Sequence, residues 1–115
     1  MSIRTERVAN IIKEEMSLIF LQKVQDPEIG LVTITGVKVT PDLRQARIYF
    51  SVYDKNMRER TLKRINQIKG LIRHELGGKL TIKFTPELFF YIDDTIDYVE
   101  KMEGIFKKIH NDDNE

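Results

Sequence analysis

The order in which the apolar period changes limits what this chain can fold into more than any other feature. Val8, Ile11, Ile12, Met16, Ile19 and Phe20 recur at helical spacing over residues 3–22. Ser2 is placed to cap that helix, and Asp26-Pro27 closes the segment, because the residue before a proline is pushed out of the α region. The period then drops to two. Val32 and Ile34 alternate with threonines, and the phase shifts at Gly36 to Val37 and Val39, which predicts a strand over 31–40 with a bulge near Gly36. Thr40-Pro41-Asp42 is a turn. A second strand over 45–53 puts Ala46, Ile48, Phe50 and Val52 on one face and Arg47, Tyr49, Ser51 and Tyr53 on the other. So short a connection makes the pair an antiparallel hairpin.

Helical spacing returns with Leu62, Ile65, Ile68, Ile72 and Leu76, entered by an Asn56…Glu59 capping box and ended at Gly77-Gly78. Leu80, Ile82 and Phe84 alternate with Thr81, Lys83 and Thr85 as a third strand that Pro86 ends, and a second apolar stretch, Leu88 to Ile92, follows. Ile96, Val99, Met102, Ile105, Phe106 and Ile109 predict a last amphipathic helix over 95–110. The expected fold is α+β in two layers, with helices on one face of a small sheet.

At 115 residues the chain is one domain, large enough for a core without staples. It has no cysteine, which excludes a disulfide scaffold, thiol catalysis and Cys-ligated metal, and fits a reducing, cytoplasmic location. No apolar run approaches ~18 residues, so no membrane association is expected, and the N-terminus lacks the apolar core of a signal peptide. His74 and His110 have no partners at ligand spacing, and no phosphate-cradling glycine motif occurs. Asp93-Asp94-Thr95 reads as a helix start rather than a catalytic carboxylate pair. Nothing assembles a nucleophile, a base and an oxyanion donor. The chain is therefore expected to be no enzyme and to need neither cofactor nor metal.

Charge points elsewhere. The net charge is only +1, but residues 31–85 hold 12 Lys+Arg against 4 Asp+Glu, and residues 86–115 hold 3 against 9. On a helical projection of 57–76, the arc opposite the apolar stripe holds Arg60, Lys63, Gln67, Gly70 and His74, flanked by Arg64 and Arg73. Lys69 falls near the apolar arc, which a bend at Gly70 would relieve. A stripe of donors with one residue lacking a side chain suits a phosphate backbone: cations for its charge, glycine for its close approach. Lys79 and Lys83 extend the basic character beyond the helix, and Arg44 and Arg47 add to it on the hairpin. Tyr49 and Tyr53 share a face with Arg47 and are placed to stack on bases. The alternative is a protein-interaction module whose basic face meets an acidic partner.

Several short motifs, in order, carry a resemblance. Arg4, Arg7-Val8, Ile12 and Glu15 are followed by Asp26-Pro27-Glu28-Ile29-Gly30, then Val37 and Val39, then Asp42-Leu43, Ala46 and Tyr49 to Val52. Gly70-Leu71-Ile72-Arg73 and Pro86-Glu87-Leu88 with Phe90 and Asp93 complete the set. Over residues 3–95 the chain resembles the ribosome-binding factor A family of bacterial small-subunit maturation factors. The resemblance implies a type II KH-like domain, α-β-β-α-kink-α-β plus a C-terminal helix, over residues 1–110, with 111–115 a polar tail. In that family a helix–kink–helix centred on Ala-x-Gly replaces the usual G-x-x-G loop. Here Ile68-Lys69-Gly70 keeps the glycine and not the alanine, and Lys83 stands where a basic residue precedes Pro-Glu-Leu.

The resemblance also implies a monomer that binds the immature 30S subunit and its 16S rRNA precursor. It would promote 5′-end maturation, including in the cold, and leave with the help of an assembly GTPase. The residues expected to contact RNA are Lys63, Arg64, Lys69, Gly70, Arg73, Lys79, Lys83, Arg44 and Arg47. Removing Lys63 and Arg73 together is expected to weaken binding and leave stability nearly unchanged.

Overall fold

Helix α1, Ile3–Gln22, packs one stripe inward: Thr5, Val8, Ile12, Met16 and Ile19 are buried. In this computed structural model, which describes residues 3–93, the chain then runs β1 (Val32–Val39), β2 (Gln45–Val52), α2 (Arg58–Gln67), α3 (Lys69–Gly77) and β3 (Glu87–Ile92). The order β1-β2-β3 puts β2 in the centre, antiparallel to β1 and parallel to β3. The parallel pair needs a crossover, which α2 and α3 supply. All three helices lie on one layer over Ile34, Val39, Ala46, Ile48, Phe50, Val52, Leu88 and Phe90. This is the α-β-β-α-kink-α-β order of a KH-like domain. Phe50 meets Phe90 edge to face at 6.4 Å, and Phe90 meets Phe20 of α1 at 6.4 Å, so three aromatic rings join the two layers.

Several local expectations hold. The bulge falls between Ile34, which pairs with Phe50, and Gly36, which pairs with Tyr49. Thr35, left over at the bulge, donates to the Asp93 carboxylate at 2.7 Å and so links the strands that flank β2. The long second helix breaks at Ile68, whose φ of −101° and ψ of 11° lie outside the helical well. Gly70 lies inside α3, two residues beyond the break, and Ile68 is half-buried against the core. The break lets Ile65 on α2 and Ile72 and Leu76 on α3 all bury while Lys69 escapes the apolar arc.

Others are corrected. Residues 80–85 form no strand and bend at 82–84, and the third strand is Glu87–Ile92. The free edge of β2 accepts one strand. Leu88 and Phe90 bury there more deeply than the half-buried Leu80 and Ile82, while Phe84 stays exposed. Ile11 is 46% exposed, because it lies beside the stripe that Ile12 occupies. The Asn56…Glu59 capping box does not form. Asp54 instead accepts from the Asn56 N–H at 3.0 Å and opens a short 3₁₀ turn, Lys55–Met57, ahead of α2. Gly77-Gly78 does end α3, but Gly78 keeps a right-handed φ of −67°. Gly77 is needed for room, since a Cβ there would stand 2.7 Å from Thr85 Oγ1. The Ser2 cap, the helix start at Asp93-Asp94-Thr95 and the 95–110 helix depend on residues outside those described.

Candidate nucleic-acid interface

The loop Asp26-Pro27-Glu28-Ile29-Gly30 clasps α2. Asp26 turns back to accept from the Glu28 N–H at 2.9 Å and takes the Arg64 Nε–H at 2.6 Å with its other oxygen. Arg64 also donates to Gln67, and Arg60 lies 3.8 Å from Glu28. Gly30 donates its N–H to the buried Thr61 hydroxyl at 3.1 Å; a side chain at Gly30 would crowd Val52 and Met57. The hydrogen bond from Arg64, with that from the Glu28 N–H behind it, holds the Asp26 carboxyl below its usual 3.8.

A depressed carboxylate stabilises the fold above the unfolded value, and that stability is lost as pH falls through the folded value. Asp26→Asn is therefore expected to lower the melting temperature at neutral pH. The gap from the parent protein should narrow below about pH 4, as thermal melts from about pH 3 to 7 would record.

The expected RNA contacts divide into groups with different duties. Lys63 on α2 and Lys79 beyond α3 are exposed cations. Lys69, the first residue of α3, holds its Nζ 5.3 Å from the Phe89 ring centre. Gly70 is exposed, and a Cβ there would meet nothing within 4 Å. The start of α3 has no side-chain cap, so its first backbone N–H groups remain available to an anion. Lys83 is exposed with its Nζ over the Phe84 ring at 5.4 Å.

Arg64 and Arg73 are held by the fold. Arg73 donates from Nε to the Pro86 carbonyl at 3.1 Å and from Nη2 to the Thr85 carbonyl at 2.7 Å, fixing the entry to β3. Its loss would therefore leave those carbonyls without that donor, contrary to the expectation that stability hardly changes. Arg44 is exposed, and its carbonyl takes the Glu87 N–H. Arg47 alternates with the buried Ala46 and Ile48 and so lies on the sheet face that the three helices leave open. It does not join the group at the helix break.

Two residues that bear on this face escaped the sequence reading. Tyr91 stacks on Tyr49, and Lys38 lies over the other flank of Tyr49. Placing the third strand at 80–85 hid Tyr91; the alternation of Lys38 with Val37 and Val39 was the available signal for the other. Tyr53, expected beside Tyr49, lies past the end of β2 and is 85% exposed. Among the described residues no cluster of His, Cys, Asp or Glu could hold a metal ion, and no helix is long and apolar enough to cross a membrane.

Comparison with known proteins adds a family. The sequence model described as Ribosome-binding factor A matches residues 4–106. A curated protein of that name from Geobacter sulfurreducens is 41% identical over 110 residues, covering 95% of this chain and 93% of its own length. The crystal structure of ribosome-binding factor A from Thermus thermophilus superposes with a TM-score of 0.68 at 17% identity, over 76% of this chain and 94% of that one. A homology model of the Thermus protein, fitted into a cryo-EM map of its 30S complex, gives a TM-score of 0.63 at 18% identity, over 73% and 89%. At these identities the two structures speak to the fold alone.

Proposed function

The chain belongs to the ribosome-binding factor A family, and on that premise we propose that it binds the immature 30S subunit and promotes 5′-end maturation of 16S rRNA. It acts by binding, without chemistry of its own. The observation that carries the RNA-facing part of this reading is the break at Ile68. There an uncapped helix start, an open Gly70 and exposed cations on α2 and beyond α3 come from one stretch of chain. Phosphates supply the charge such a surface takes, and the glycine lets two backbones approach. Arg64 and Arg73 hold the two helices in place around the break rather than lead the contact. The name shared by the matching family model and the Geobacter relative, a ribosome-binding factor, supports the choice of partner. Release is assigned to an assembly GTPase once the subunit matures.

The test is sedimentation. The protein should travel with immature small subunits and not with mature subunits engaged in translation, and a deletion strain should accumulate 16S rRNA with an unprocessed 5′ end, most of all in the cold. Normal 5′ ends and normal subunit profiles would refute the reading.

Gly70→Ala separates binding from folding. Alanine meets open space in the free protein and favours α3 by up to ~1 kcal/mol. Its methyl stands where a phosphate backbone would approach. The variant is expected to melt at a higher temperature and to bind 30S precursors several-fold more weakly. A change of both quantities in one direction would place the contact elsewhere.

A further inference from the structure

We propose that the open face of the sheet is a second RNA site, a platform on which unpaired bases stack. It is distinct from the break between α2 and α3 and does not depend on it. The helices cover the face carrying Ala46, Ile48 and Phe50; the alternate residues of β2 face away. Strand register then builds two rows on that far side. One runs Lys38, Arg47, Phe89 and the next Gly36, Tyr49, Tyr91. Tyr49 and Tyr91 stack with ring centres 5.5 Å apart and planes inclined at 26°. Lys38 Nζ lies 5.8 Å from the Tyr49 centre. The bulge puts Gly36 opposite Tyr49, so the β1 residue paired with Tyr49 has no side chain to cover its ring, and Lys38 is the β1 side chain that reaches it. Tyr91, on the edge strand β3, is 44% exposed.

Three aromatic rings interleaved with two cations on an open sheet suit single-stranded RNA. Each base offers a π-face to stack, and the cations take the phosphates between bases. A duplex has its base faces already buried. An apolar protein surface would leave Lys38 and Arg47 desolvated without partners. Among the described residues, the carboxylates of this face stand at the two ends of β3, Glu87 opposite Gln45 and Asp93 bound by Thr35. They leave the aromatic centre to the cations. Lys69, over Phe89, connects the edge of this platform to the start of α3, so one strand of RNA can pass from the helix break around β3 onto the sheet.

The experiment uses the full chain and an unstructured RNA of about 12 nucleotides, within the span that one small domain covers. Tyr91→Leu is expected to weaken binding roughly tenfold, within the range a stacked base contributes. The slope of log affinity against log salt should not change, because no phosphate contact is lost. Tyr91→Phe should keep the parent affinity. The chain has no tryptophan, so Tyr91→Trp supplies a second measurement that works even if the leucine variant folds poorly. RNA should quench its emission saturably, and should still do so with Lys63→Gln added, which alters only the helix-break contact. Unchanged affinity in Tyr91→Leu, or no quenching in Tyr91→Trp, overturns the proposal. So does an indole already shielded from acrylamide in the free protein, which would mean that protein covers this face.

Discussion

Replacing Lys63 and Lys79 together by glutamine is expected to weaken binding to precursor 16S rRNA about 20-fold at 0.15 M salt. Each phosphate contact contributes roughly 0.7 to 0.9 to the slope of log affinity against log salt. Two lost contacts flatten it by about 1.6, and extrapolation from molar to physiological salt turns that into a little over one decade. Both lysines are exposed, and among the described residues neither side chain makes a hydrogen bond or ion pair. Arg64 and Arg73 would confuse the result, since Asp26 and the Thr85 and Pro86 carbonyls depend on them. The paired control is Lys107→Ala with Lys108→Ala, which removes the same charge from the acidic end of the chain. Equal weakening by the control pair would move the contact surface away from the helix break. Salt dependence alone does not distinguish RNA from an acidic protein, because both are electrostatic partners. Competition does: precursor rRNA should displace an acidic protein only from a shared site.

Phe50→Ala should cost about 3–5 kcal/mol. Phe50 is fully buried on the central strand, and its ring meets Phe90, which in turn meets Phe20. Truncation removes the ring that β2 contributes to the junction of the two layers and leaves a cavity where β3 and α1 converge. With total stabilities of about 5–15 kcal/mol for domains, such a loss consumes a large share. The melting temperature should fall by roughly 12–40 °C, at about 4–8 °C per kcal/mol for a domain near this size. Phe50→Leu, which keeps most of the volume, should recover much of it. A fall of only a few degrees in the alanine variant would mean that the aromatic junction is not the centre of the core. Because Phe50 faces the helices, neither proposed RNA surface should change directly, and any loss of binding should track the fraction unfolded.

The spacing of apolar residues along the chain sets the layers and most of their pieces. The 3.6-residue period fixed α1 and the helical stretch after residue 57, since a helix buries whichever stripe is apolar. Strict alternation fixed the hairpin and its inward residues, and the phase change at Gly36 located the bulge, because a slip of one residue flips a strand over. Lys69 out of place beside the apolar arc signalled the break. The tertiary structure decided what local period could not. Two neighbouring apolar segments, 80–85 and 87–92, both qualify as strands, and only competition for the single free edge of β2 chose Glu87–Ile92. That choice placed Tyr91 beside Tyr49 and gave Arg73 its carbonyl partners, neither of which any spacing along the chain encodes. In the same way a basic stripe reads as one surface in sequence. Which of its cations bind the protein itself depends on loops far away in the chain, as Asp26 does for Arg64, because an ion pair is set by distance in space and not by separation in sequence.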